Sequence, residues 1–320
     1  MCKNVIFLCV FLLVVSCNRK SDLEAAIEKI DVDVHIDRFD VEFAEATPDD
    51  LPALKSDYPF LFPSQYTDSV WIEKMNDSLQ KELSSEVKKA FPDLSKLRTA
   101  LHSLFQHIRY YFPGFTVPRV ITLTSEVDYR NKVIWTDSLL FIALDTYLGE
   151  DHRFYEGIPA YQAKNFSGEH ITSDVAGAFA ELHIPGKHDR SLLAAMVRAG
   201  KALYVKDLLL PTVPDALKIG YTTDEMQWVM ANESEMWRYF VERSLLYNTD
   251  SRLKDRFIEA APFSKFYLDI DNESPGGTGR FIGWKIVRSY MENNDVSLQQ
   301  MLETPAEDIF RTSGYKPAKA

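Results

Sequence analysis

All three cysteines of this chain, Cys2, Cys9 and Cys17, come before residue 18, so the body that follows folds without a disulfide. That absence also removes a thiolate metal site and a cysteine nucleophile. Stability must therefore come from apolar burial. The material is present, with 46% of the 320 residues hydrophobic and 12% aromatic. One large domain and two small ones are both compatible with that length.

The N-terminus explains where the cysteines sit. Lys3 is followed by the uncharged run Val5–Val15 and then by Ser16-Cys17, a basic, then apolar, then cleavable layout. The run is too short to cross a bilayer, which takes about 20 apolar residues. Val14-Val15-Ser16-Cys17 is similar to a lipobox, the cleavage site of bacterial lipoproteins. The resemblance implies a signal peptide over residues 1–16 and a diacylglyceryl thioether, with further acylation such as palmitate, on Cys17. Residues 17–29 would be a lipidated tether and residues 30–320 one globular domain. Several acyl chains make such an anchor stable. The expected location is the cell envelope, at the outer membrane or the periplasmic face of the inner membrane. A net charge of −11 argues against nucleic acid as a partner.

Along the body the pattern is mostly helical. Residues 21–29 predict a short polar helix, and Ile30–Ile36 alternates like a half-buried strand. Residues 68–91 and 93–112 each carry one apolar face, and Asp93 predicts an N-cap. Arg119–Thr124, Lys132–Asp137 and Leu139–Leu144 are strand-like, with a turn at Thr136-Asp137-Ser138, and are expected to form a small antiparallel sheet. Helices are expected near residues 167–183, 188–204, 222–247, 252–260, 278–292 and 298–301. The fold class is α+β, dominated by helix, with no internal repeat.

Chemistry-bearing motifs are sparse. None of the seven histidines belongs to an H-E-x-x-H pair. His170 and Asp174 are four apart and share a helix face, with Glu181 further along it, which makes them the best metal set available. There is no G-x-S-x-G elbow. The run Ser274-Pro275-Gly276-Gly277-Thr278-Gly279-Arg280 lacks the Lys-Ser/Thr of a phosphate loop and reads as a tight turn. Around it, Asp269, Asp271, Arg280, Trp284 and Arg288 combine charge with an aromatic, as a polar pocket or a partner-binding edge requires. No cofactor is expected.

Several blocks together resemble the gliding motility lipoprotein GldB family of Bacteroidetes. They are Tyr58-Pro59-Phe60-Leu61-Phe62-Pro63, Leu104 to Pro113, Ser125 to Arg130, Leu144 to Gly149, Gly200 to Tyr204, Ala261 to Phe266 and Ser274 to Tyr290. They keep their order over nearly the whole chain. The resemblance implies a non-catalytic lipoprotein acting in gliding and associated secretion by binding other envelope proteins. A fainter similarity to zincin-type peptidases covers Ile171–Ala180 and Met196–Tyr204, and implies a degenerate zincin-like fold without its metal ligands. Two other functions stay open: a metal-dependent, peptidase-like hydrolase using His170, Asp174 and Glu181, and a lipoprotein that binds a small molecule or glycan near Asp269 and Arg280.

Overall fold

The computed structural model describes residues 22–186 and 189–318; Cys17, the leader and His188 lie outside them. The chain runs α1 (Asp22–Ile27), β1 (Ile36–Asp37), α2 (Phe39–Glu45), α3 (Leu51–Asp57), α4 (Asp68–Asn76), α5 (Ser78–Ala90) and α6 (Ser95–Tyr111). The strands β2 (Arg119–Leu123), β3 (Val133–Trp135) and β4 (Leu139–Ala143) follow. Then come α7 (Ala160–Ala163), α8 (Ile171–His183), α9 (Leu192–Leu209), α10 (Asp215–Ile219), α11 (Thr223–Ala231), α12 (Glu233–Glu242), α13 (Arg252–Phe257), α14 (Thr278–Asn293), α15 (Leu298–Glu303) and α16 (Ala306–Ser313). This is the helix-dominated α+β class expected from the sequence.

The sheet departs from the expected antiparallel arrangement. Its order is β1-β2-β4-β3, and only the β3–β4 hairpin is antiparallel. β2 pairs parallel with β1 on one side and with β4 on the other, Ile121 opposite Phe141. The connection after β2 is long enough to cross over, so the hairpin inserts β4 next to β2 and leaves β3 at the edge. The burial pattern agrees: Val120, Ile121, Leu140 and Ile142 are wholly buried, as parallel strands covered on both faces are.

The N-terminal segment is docked rather than free. Ile27 is buried, Glu24 meets His107 Nε2 at 3.2 Å, and Gln106 Nε2 donates to the carbonyls of Glu28 and Ile30. Residues 22–29, expected as part of a tether, thus pack against α6. Val32 and Val34 are buried as their alternation requires, yet only Ile36 and Asp37 pair in the sheet. The helix expected over 68–91 is divided at Asp77, whose carboxylate caps α5 by accepting from Gln80 N at 2.7 Å. The helix expected over 222–247 is divided at Asn232. Asp145, fully buried at the end of β4, accepts from the amides of Ser125 and Val127. It thereby holds Glu126 and Val127 in left-handed backbone conformations.

The most extensive helix–helix contact joins α9 and α14. Gly200 on α9 and Gly283 on α14 face each other so closely that a Cβ on either would overlap the other helix's backbone, at Gly283 O and at Met196 O respectively. Small residues permit this approach. Around the crossing Met196, Val197, Ile282, Trp284, Ile286 and Val287 are completely buried.

Gly283→Ala must separate the helices or bend one of them. We expect a loss of about 3 kcal/mol in urea unfolding, at the upper end of overpacking costs. Gly114→Ala, where a Cβ meets nothing within 4 Å, should change stability by less than about 0.5 kcal/mol.

Candidate functional site

The α9–α14 pair carries a network of polar groups. Arg288 on α14 grips Asp207 of α9 with two nitrogens, Nε to Oδ2 and Nη2 to Oδ1, each at 2.7 Å. Its Nη1 reaches Asp215 Oδ2 at 2.7 Å. Trp284 Nε1 donates to Asp207 Oδ2 at 2.8 Å, and the Arg288 guanidinium lies 3.8 Å from the Trp284 ring centre. Lys218 Nζ adds a contact to Asp207 at 3.0 Å. Burial alone would lower the Arg288 pKa, but the hydrogen bonds and charges of the two carboxylates raise it. Burial would raise Asp215, and Arg288 and Lys218 outweigh it and hold that carboxyl below its ordinary range. Trp284 and Arg288 are therefore structural partners of Asp207 and Asp215.

Beside this network opens a cavity of about 360 Å³ between α8, α9, α10 and α14. It gathers His170, Asp174 and Glu181 from the metal set and Arg280 from the other candidate group. Sequence reasoning missed the lysines that line it, Lys132, Lys206 and Lys218. The three metal candidates are each engaged elsewhere. Asp174 pairs with Lys132 Nζ at 2.5 Å and accepts from Tyr147 OH, His170 Nδ1 meets Ser167 Oγ, and Glu181 takes Arg198 at 2.6 Å. Among the described residues no group of three or more His, Cys, Asp or Glu is placed to hold a metal ion. The chemistry of the cavity is cationic instead. Lys206 Nζ is held by Ser173 Oγ at 3.1 Å and the Lys218 carbonyl at 2.8 Å. Burial lowers its pKa to about 8. Burial also lowers His170.

Asp269 and Asp271 belong to neither group. They sit on the segment 266–273 on the approach to α14, apart from the cavity. The glycine run is the tight turn expected, built around three buried hydroxyls. Ser264 Oγ donates to Pro275 O at 2.9 Å and accepts from Thr278 N at 3.1 Å, while Ser274 Oγ donates to Asp271 O at 2.7 Å. The Asp271 carboxylate accepts from Tyr267 N and Leu268 N at 2.8 and 3.2 Å and fixes Tyr267 at φ +63°. Arg256 lies 4.4 Å from the Tyr267 ring centre. The outcome is a braced loop whose Tyr267, Leu268 and Ile270 side chains face solvent at 75%, 52% and 52% exposure.

The family model of gliding motility protein GldB matches residues 20–317. The chain belongs to the GldB family. That family implies a role in gliding motility. No curated protein and no solved structure matches the chain, and the similarity to zincin peptidases is not shown. Two family blocks acquire a physical meaning here: Asp145 in one supports the turn of the other, Ser125 to Arg130.

The lowered lysine sets a pH signature. Below pH 8 Lys206 is charged in both folded and unfolded chains. Between about 8 and its ordinary 10.5 the unfolded chain keeps the proton that the folded chain has released, so stability rises with pH. Lys201, also lowered by burial to about 8, adds to the same window. Above pH 10 tyrosines such as Tyr221, raised by burial to about 12, reverse the slope because the unfolded chain then loses protons first. Thermal unfolding should show a stability maximum near pH 10, and Lys206→Met should remove about half of the rise from pH 8.

Proposed function

We propose that this protein is a lipid-anchored, non-catalytic component of the gliding apparatus that docks another envelope protein through the loop 266–273. The family supplies the motility context. The leader pattern at Val14–Cys17 supports the anchor. Among the described residues no helix is long and apolar enough to cross a membrane.

The observation that carries the docking reading is the braced loop. Exposed apolar side chains are ordinary when scattered singly. Here three lie within four residues, on backbone that includes a left-handed tyrosine, held by a buried hydroxyl cluster and by Asp271. Left-handed backbone in a non-glycine residue costs of order 1 kcal/mol, and such strain gathers at ligand clamps and switch regions. Pre-ordering the loop lowers the entropy lost on association. A protein partner is favoured over a lipid surface because Asp269, Asp271 and Glu273 stand among the apolar residues, and carboxylates oppose insertion among anionic headgroups.

A gliding host deleted for the gene and complemented with variants tests this reading. Cys17→Ala and the double variant Tyr267→Ala/Leu268→Ala should each fail to restore surface spreading. The loop variant should unfold at the wild-type temperature within about 2 °C, since its side chains are exposed. A photo-crosslinker at position 268 should trap one envelope protein. Full spreading with the loop variant would contradict the docking role.

A further inference from the structure

The cavity between α8, α9, α10 and α14 has no part in the docking reading, and its charge arrangement is unbalanced. Four cationic residues line it: Lys132, Lys206, Lys218 and Arg280. Lys132 is answered by Asp174. Among the described residues neither Lys206 nor Arg280 has a carboxylate within ion-pair distance; Lys206 has only a hydroxyl and a carbonyl. Arg280 Nε is buried with no hydrogen-bond partner, while its guanidinium carbon lies 5.7 Å from the Tyr221 ring centre. Glu181, the remaining carboxylate, is spent on Arg198. Lys218 lines the cavity, but its ammonium is committed to Asp207 and Asp215.

A buried N–H of an arginine left unpaired is unfavourable, and a charged group without a counterion more so. The two carboxylates that line the same cavity, Asp174 and Glu181, are each paired with another cation, Lys132 and Arg198. The space fits a small solute: about 360 Å³ is at the compact end of ligand sites, which run from roughly 300 to 1,000 Å³.

We infer that this cavity is a binding site for a small organic anion, whose phosphate or carboxylate oxygens take up Lys206 Nζ and the Arg280 guanidinium. Ser173 steers the ammonium from below, and its own hydroxyl is fixed by donation to the Leu217 carbonyl at 3.0 Å. Gly177 on α8 leaves the ammonium room, since a Cβ there would fall 3.2 Å from Lys206 Nζ. Arginine offers the directional fork suited to either oxyanion, and lysine the point charge. Binding replaces the contacts these groups lack and leaves the Arg288 network undisturbed.

Calorimetric titration of the full-length chain in detergent, at fixed ionic strength, tests the site with glycerol phosphate in one arm and succinate in the other. At least one should bind saturably at a stoichiometry of one, and the arm that responds names the oxyanion. Arg280→Gln should weaken binding on the order of tenfold or more, the worth of a charge-assisted hydrogen bond. Lys206→Met should act alike, and Arg280→Lys should restore part of the affinity. Gly114→Ala, which lies outside the cavity lining and leaves both cations in place, should not weaken it and serves as the folded control. Absence of binding in both arms, or binding unaltered by Arg280→Gln in a protein that unfolds like the wild type, would overturn the inference.

Discussion

Everything in the C-terminal half is arranged around the contact between Gly200 and Gly283. Two helices with ordinary side chains stay 8–10 Å apart. With hydrogen atoms in place of side chains they close until backbone meets backbone. Closeness then brings Asp207 of α9 and Trp284 and Arg288 of α14 into one hydrogen-bonded set. A bidentate arginine–carboxylate pair is directional, so it fixes the rotation of one helix on the other after the glycines have fixed the distance. Part-buried ionic sets of this kind are weak sources of net stability. Their contribution here is to specify a single packing.

From that frame two features project in different directions. On one side α9 carries Lys206 and α14 carries Arg280 into the cavity that α8 and α10 close. Leading into the start of α14, the turn at Gly277, with φ +69°, and the Ser264–Ser274–Thr278 hydroxyls hold the loop bearing Tyr267. The cavity is an open cleft lined by charged groups, and the loop is apolar and exposed. They share a scaffold and no side chain, so loss of one leaves the other in place.

How much of this was legible in the sequence differs by element. Helices with one apolar face, such as Ser95–Tyr111, were visible from periodicity alone, because a helix face is a local pattern. The strand positions were visible too, but their partners were not. Parallel pairing of Arg119–Leu123 with Leu139–Ala143 depends on a crossover that no local pattern encodes. The candidate group from Asp269 to Arg288 was contiguous in sequence and falls into three separate places: a loop, one cavity cation and a part-buried ion network. The cavity itself draws Lys132, Asp174, Lys206 and Arg280 from four distant segments. Lysines inside the apolar helix around Val205 were the available signal, since a charge amid buried residues needs a reason.

The claim that the glycine crossing is the frame is tested most directly by native-state hydrogen exchange. If α9 and α14 hold the rest, the amides of residues 196–206 and 281–288 should exchange last, at the free energy of global unfolding, with the sheet and α6 opening earlier. Exchange of either helix through a cheaper local opening, while the β2–β4 ladder stays protected, would contradict it.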